Sequence, residues 1–204
     1  MEEENKKLNI LIVVDMQNDF TYGSLANPTT VATIPKIEEK VKKYIDDPDG
    51  VVIFTRDTHY DDTYLNSEEG KNLPIKHCIW NTKGWELVDP LKKIADQYEY
   101  EAYRYDDKVT VINKYSFGGS HLPHIINCYH ANGEIYRDST TIELVGTCTS
   151  LCVIANAFVA KMAAPNAHIV IDAKCCSDVT EEMHNKALEI MQNAHMEIIN
   201  WEKK

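Results

Sequence analysis

Cys152 sits in the run Gly-Thr-Cys-Thr-Ser-Leu-Cys-Val (Gly146–Val153), where an apolar strand ends at Gly146 and a helix of small and branched apolar residues begins. A thiol at a helix start faces unpaired backbone N–H groups and the positive end of the helix dipole. Both favour the thiolate, the nucleophilic form. Such a nucleophile needs a proton acceptor and a counter-charge nearby. The apolar run Leu11–Val14 delivers Asp15, and Val109–Asn113 delivers Lys114. In a parallel α/β sheet the ligand crevice lies outside the carboxyl ends of the strands. Asp15, Lys114 and Cys152 therefore fall on one rim. Singly, each has an ordinary structural role, as a turn cap, a surface cation and a core thiol; their shared rim points to catalysis.

A second set follows the strand Val51–Thr55: Asp57-Thr58-His59, with His77 downstream before Cys78. Imidazole and carboxylate donors suit a borderline divalent metal such as Zn, Fe or Mn. Phe20, Tyr64, Tyr115 and Phe117 lie close to the same rim in sequence and could clasp a flat ring. The other cysteines read as core or loop. Cys148 and Cys152 lack the two-residue spacing of thiol oxidoreductases, and vicinal Cys175-Cys176 is a poor chelate.

The elements that must position these residues follow from the hydrophobic pattern. Short apolar runs alternate with longer helical ones, which argues for βαβ units around a parallel sheet. Strands are expected near 9–14, 51–55, 109–113, 142–146, 167–172 and 196–200, and helices near 33–46, 86–97, 122–130, 150–163 and 180–194. Thr180, followed by Glu181 and Glu182, is a good helix start. The fold class is α/β, a doubly wound, Rossmann-like, mostly parallel sheet of about six strands in a three-layer α/β/α sandwich. The stretch 58–85 has little periodicity and is too long for an idle connection, so it is expected to cover the site. The segment 118–141, with His121, His124 and His130, is open to assignment as a pocket wall or an oligomer interface.

With 204 residues the chain is expected to form a single domain over 1–204, with 1–8 as a flexible extension. That length can bury roughly 70% of the unfolded surface in one core. A net charge of −11 disfavours nucleic acid or an anionic membrane as partner. No apolar stretch reaches the ~20 residues needed to span a bilayer, and the N-terminus has no signal-peptide pattern. A cytoplasmic location, with the six cysteines as reduced thiols, is the expectation.

The motifs Val-Val-Asp-Met-Gln-Asn-Asp-Phe, Thr-Arg-Asp-Thr-His, Lys-Tyr-Ser-Phe and Gly-Thr-Cys-Thr-Ser-Leu-Cys-Val, in that order over about Asn9 to Asn200, resemble the isochorismatase-like cysteine hydrolases. They look most like the nicotinamidase/pyrazinamidase branch; the presence of Cys152 argues against isochorismatase chemistry itself. The resemblance implies an amidohydrolase in which Cys152 forms a thioester, Asp15 shuttles the proton and Lys114 supports both charges. The backbone N–H groups of Cys148 and Cys152 would form the oxyanion hole, with a non-proline cis peptide at Thr147–Cys148. It also implies a metal on Asp57, His59 and His77 that contacts the ring nitrogen of nicotinamide, zinc being first choice. Many relatives place a further His where this chain has Leu65; Glu69 is the best substitute, with Glu68 next to it. Phe20 stands where relatives stack a Phe on the ring, with Tyr115 and Phe117 as further substrate contacts. The stacking Trp expected from the other face is missing, leaving Trp80 or Trp85 to compensate or to act as loop anchors. Also implied are a place in NAD salvage (pyridine nucleotide biosynthesis) and a homo-oligomer, dimer or tetramer. Two alternatives stand beside nicotinamide: the same chemistry on a carbamoyl or ureido amide held by carboxylate-binding residues, and a redox or metal-binding protein without turnover.

Overall fold

The apolar runs form a six-stranded sheet whose four central strands are buried on both faces. The computed structural model describes residues 7–98, 108–131 and 139–202. The strands are β1 (Lys7–Val14), β2 (Gly50–Asp57), β3 (Val109–Lys114), β4 (Ser139–Thr147), β5 (His168–Ser177) and β6 (Glu197–Ile199). They pair in the order β3-β2-β1-β4-β5-β6, every neighbour parallel. The helices are α1 (Asn18–Thr21), α2 (Pro28–Asp46), α3 (Glu68–Asn72), α4 (Leu91–Tyr98), α5 (Leu122–Ala131), α6 (Ile154–Ala163) and α7 (Glu181–Asn193). Ile10, Ile12 and Val14 point to one face, where they pack with Leu122 and Ile126 of α5, Ala157 of α6 and Leu188 of α7. Leu11 and Val13 point to the other, against Ile37 and Val41 of α2 and Leu91 of α4. This is the expected doubly wound α/β/α sandwich. Parallel strands covered on both faces read as continuous apolar runs, as these do. No helix among the described residues is long and apolar enough to cross a membrane.

Several boundaries differ from the pattern-based reading, each for a local reason. β1 starts at Lys7 and buries Leu8, while residues 1–6 of the expected extension lie outside the described residues. α2 begins at Pro28 and not near 33, because the Asn27 side chain caps the Thr29 N–H and Pro28 occupies the first helical position. Pro35 is then carried inside that helix. α4 waits until Leu91, past the cis Asp89–Pro90 bond. Thr180 caps α7 through the Met183 N–H, as read from sequence. A register shift opposite Leu144–Gly146 lets β5 run on to Ser177, so Cys175 and Cys176 are buried strand residues. Within 118–141, α5 packs against α6, and residues 132–138 lie outside the described residues.

The chain leaves β1 toward one edge of the sheet and β4 toward the other. The crevice between their carboxyl ends is thus the topological switch point, where ligands bind in open α/β sheets. Gly146 pairs with Val14 across this point. It has φ +122°, and a Cβ there would stand 2.1 Å from the Val14 carbonyl oxygen. Gly146→Ala is expected to lower stability by about 2–4 kcal/mol through strain and steric clash. Urea unfolding monitored by circular dichroism measures this; a loss below about 0.5 kcal/mol would contradict the close approach of the two strands.

Candidate active site

β1 and β3 end in a carboxylate and an ammonium that share one dry space. Asp15 follows β1 in a left-handed conformation (φ 51°), and Lys114 closes β3; both are fully buried. Lys114 Nζ lies 2.8 Å from Asp15 Oδ2 and 3.0 Å from Asp57 Oδ1. It also donates to Ser116 O at 3.1 Å and to Cys152 Sγ at 3.5 Å. Asp15 Oδ1 accepts from Thr55 Oγ1 at 2.6 Å. Asp15 Oδ2 has no hydrogen-bond partner beyond this ion pair with Lys114. The three residues expected on one rim are brought together.

Cys152 stands within a π-helical turn, Thr149–Val153, that precedes α6, and not at the first position of an α-helix. The Leu151 and Val153 N–H groups both donate to the Cys148 carbonyl, which closes the turn. The Thr147–Cys148 peptide is cis, where the resemblance placed it. Asn156, buried on α6, donates to Cys152 O at 2.8 Å and Phe117 O at 3.0 Å and accepts from the Gly119 N–H at 2.9 Å. It ties the Cys152 turn to the loop after Lys114.

The expected metal ligands Asp57, His59, Glu69 and His77 also converge, their donor atoms all lying within 4.8 Å of one another. Asp57 Oδ2 is 2.9 Å from His59 Nε2 and 3.5 Å from His77 Nε2; Glu69 Oε1 is 3.7 Å and 3.4 Å from the same two atoms. Donors about 2.0–2.2 Å from a tetrahedral ion stand roughly 3.3–3.6 Å apart, so this donor set fits a divalent cation. His77 Nδ1 lies 2.9 Å from Ile75 O and 3.2 Å from the Tyr64 hydroxyl, which leaves Nε2 toward the cluster. Tyr64 is thereby corrected from a ring-clasping candidate to a buried support of His77; its hydroxyl donates to Leu73 O. Glu69 enters from α3, whose start is capped by Ser67 onto the Gly70 N–H. Leu65 is half exposed and outside the cluster.

Asp57 was legible as a ligand but its second contact was not. One oxygen meets Lys114 and the other meets the two histidines, so a single carboxylate joins the Cys152 side to the cation-binding side. Gln17 fixes it, accepting from the Asp57 N–H at 2.8 Å and donating to Asp57 O at 2.9 Å. Thr55, Gln17 and Asn156 carry no assignment from sequence. Thr55 and Gln17 each lie two residues from a recognised carboxylate, the only sequence signal available for them.

Asp57, His59, Glu69 and His77 border a cavity of about 1050 Å³ that Cys148 and Cys152 also line. Phe20, Tyr115 and Phe117 reach it; Phe20 lies 5.7 Å from the His77 ring, and Tyr115 stacks on Tyr60. Trp80 packs near Tyr60, and Trp85 donates to Thr58 Oγ1 beneath the Arg56 guanidinium. Neither lines the cavity, so both are loop anchors.

Electrostatics revises the thiolate expectation. Burial drives the Cys152 thiol well above its ordinary range; Lys114 lowers it, but the Asp15 and Asp57 charges raise it again. One ammonium already faces two carboxylates and does not sustain a third anion at rest. Burial likewise lifts Asp15, against the pull of Lys114. Burial also opposes the charge on Asp57, but Lys114, His59 and His77 hold it well below the carboxylate range. Burial opposes the charge on Lys114, but Asp15 and Asp57 outweigh it and keep the ammonium ionised. Burial depresses His77, yet hydrogen bonds to Asp57 and Glu69 push it up to about 10. The Cys148 thiol is pushed up to about 11, mainly by burial. The resting arrangement is a neutral Cys152 thiol beside a desolvated carboxylate of raised basicity.

Comparison with known proteins finds relatives over nearly the whole chain. The isochorismatase domain family model matches residues 9–203. The nicotinamidase of Saccharomyces cerevisiae is 25% identical over 226 residues, covering 95% of this chain and 100% of that protein. Among solved structures, the nicotinamidase from Bacillus subtilis superposes with TM-score 0.76 at 23% identity, covering 93% of this chain and 98% of that one. The pyrazinamidase of Pyrococcus horikoshii in complex with zinc gives TM-score 0.72 at 24% identity, covering 95% and 99%.

Two outcomes follow. Without substrate, iodoacetamide labelling of Cys152, followed by peptide mass spectrometry, should keep accelerating above the ordinary thiol pKa of about 8.5. A raised pKa leaves the reactive thiolate scarce at neutral pH; a plateau by about pH 7.5 would contradict it. Tyr64→Phe should weaken divalent-metal affinity about 10–100-fold in chelator competition while the circular dichroism spectrum is kept. Unchanged affinity would show that the hydroxyl does not support His77.

Proposed function

This chain belongs to the isochorismatase family, and from that premise we propose that it is a cysteine amidohydrolase. It releases ammonia from a small neutral aromatic carboxamide, with nicotinamide first in line. The observation that carries the reading is the single Lys114 ammonium in contact with Cys152 Sγ, Asp15 and Asp57, beside a cavity the thiol can reach. Asp15, buried and of raised basicity, takes the thiol proton as sulfur attacks the amide carbon. Lys114 keeps its charge and limits the cost of the anion that forms. The backbone N–H groups of Cys148 and Cys152 meet the oxyanion, each worth roughly 3–4 kcal/mol in comparable sites. Asp15 hands its proton to the departing amine, leaving a Cys152 thioester and ammonia. Water then attacks the thioester, Asp15 again taking the proton, and the acid and free thiol are restored.

Asp57, His59, Glu69 and His77 are the residues that would hold a divalent ion, zinc being favoured by the N/O donor set and by the zinc-bound Pyrococcus relative. Such an ion would supply a Lewis-acid contact for the ring nitrogen of the substrate. Phe20 lies beside His77 to pack on that ring. Among the described residues, no Lys or Arg lines the cavity, whereas Asp57, Glu68 and Glu69 do. A carbamoyl or ureido acid would find no side-chain cation on this lining for its own carboxylate, which favours the neutral carboxamide.

Zinc-loaded protein given nicotinamide is expected to release ammonia and nicotinate, read by a coupled ammonia assay. Cys152→Ala, Asp15→Asn and Lys114→Met should each lower kcat by at least about 10³-fold, since nucleophile and general base act as a unit. Ammonia release that survives in Cys152→Ala would contradict the thioester route.

A further inference from the structure

We propose that the site accepts aromatic carboxamides bearing an uncharged apolar substituent, seated on a shelf formed by Leu25, Phe117, Leu151 and Val179. The inference rests on the amidohydrolase reading and extends its substrate class. Pockets of about 300–1,000 Å³ typically enclose drug-sized ligands. The cavity here, about 1050 Å³, is at the top of that range. A single ring with one carboxamide would leave most of it unfilled. Its chemistry is divided. Asp57, His59, Glu69 and His77 converge on one cluster, while Leu25, Phe117, Leu151 and Val179 contribute apolar lining.

The shelf is assembled from four separate segments: Leu25 between α1 and α2, Phe117 after β3, Leu151 in the Cys152 turn and Val179 between β5 and α7. Phe117 is 43%, Leu151 41% and Val179 74% exposed. Apolar side chains from four segments that line one cavity are the kind of lining that marks a ligand-binding surface. The shelf is continuous with the cavity that Cys152 lines, so its occupant is the remote part of the molecule whose amide is cleaved. Among the described residues no Lys or Arg lines the cavity to hold an anionic substituent. Such remote contacts can improve KM or, when realised at the transition state, kcat.

The test compares kcat/KM of zinc-loaded protein for nicotinamide with that for nicotinamides carrying a propyl or phenyl group at C5 or C6. At least one substituted amide is expected to exceed nicotinamide about tenfold, the scale of one well-filled apolar contact. Val179→Asp and Leu25→Ser, both outside the Cys152 and cation-binding clusters, should erase that preference and leave nicotinamide turnover within about twofold. Substituted amides no better than nicotinamide would overturn the shelf while leaving the amidohydrolase reading intact. A preference that persists in both variants would also overturn it. No hydrolysis of any carboxamide would fail both readings together, an outcome distinct from the other two.

Discussion

Everything at this site depends on one buried cation being shared by more negative groups than it can neutralise. Lys114 is fully buried, and ordering its ammonium there is tolerable only because Asp15 and Asp57 approach within 2.8 and 3.0 Å. Removing one partner from such a buried cluster typically costs about 3–5 kcal/mol, because an uncompensated charge is left behind. The same arithmetic decides protonation. With two carboxylates around one ammonium, the next group in line, Cys152, keeps its proton, and Asp15 is the group positioned to remove it. A nucleophile held neutral until substrate displaces water is less exposed to stray electrophiles than a standing thiolate.

Asp57 extends this constraint to the second half of the site. Its two oxygens face in different directions, one to Lys114 and one to His59 and His77. A cation on the four-residue donor set and the ammonium beside Cys152 would therefore share one carboxylate. The two clusters cannot be altered independently, and the scaffold reflects it. β1, β2 and β3 supply Asp15, Asp57 and Lys114 from adjacent strand ends, so the spacing is fixed by sheet register. The cation-binding loop is pinned by Asp19, whose carboxylate accepts from the Cys78 N–H at 2.7 Å.

The sheet and the three strand-end residues were legible because buried parallel strands write themselves as apolar runs, and each run ended in a chemically distinctive residue. Asp57, His59 and His77 were legible as donors by type, and Glu69 by the resemblance alone. The dual contact of Asp57 was not, since no local pattern reveals which way two oxygens of one carboxylate point. Tyr64 was misread for the same reason: an aromatic near a rim says nothing about whether it faces the ligand or, as here, a histidine behind it. The resting state of Cys152 also escaped the sequence. A helix start argues for a thiolate, but burial and two neighbouring carboxylates outweigh it, and neither is visible until the chain is folded. The start of α2 was also missed, placed near 33, although Asn27 as a cap and Pro28 as a first-turn proline carry its signal.

The central claim is that Cys152 becomes acylated while Asp15 carries the proton. Its most direct test is mass spectrometry of zinc-loaded protein quenched in acid during turnover of nicotinamide. The account predicts a nicotinoyl group on the peptide that contains Cys152, absent from Cys152→Ala and formed far more slowly in Asp15→Asn. Full turnover with no acyl group on Cys152, or an acyl group carried by Cys148 instead, would contradict it.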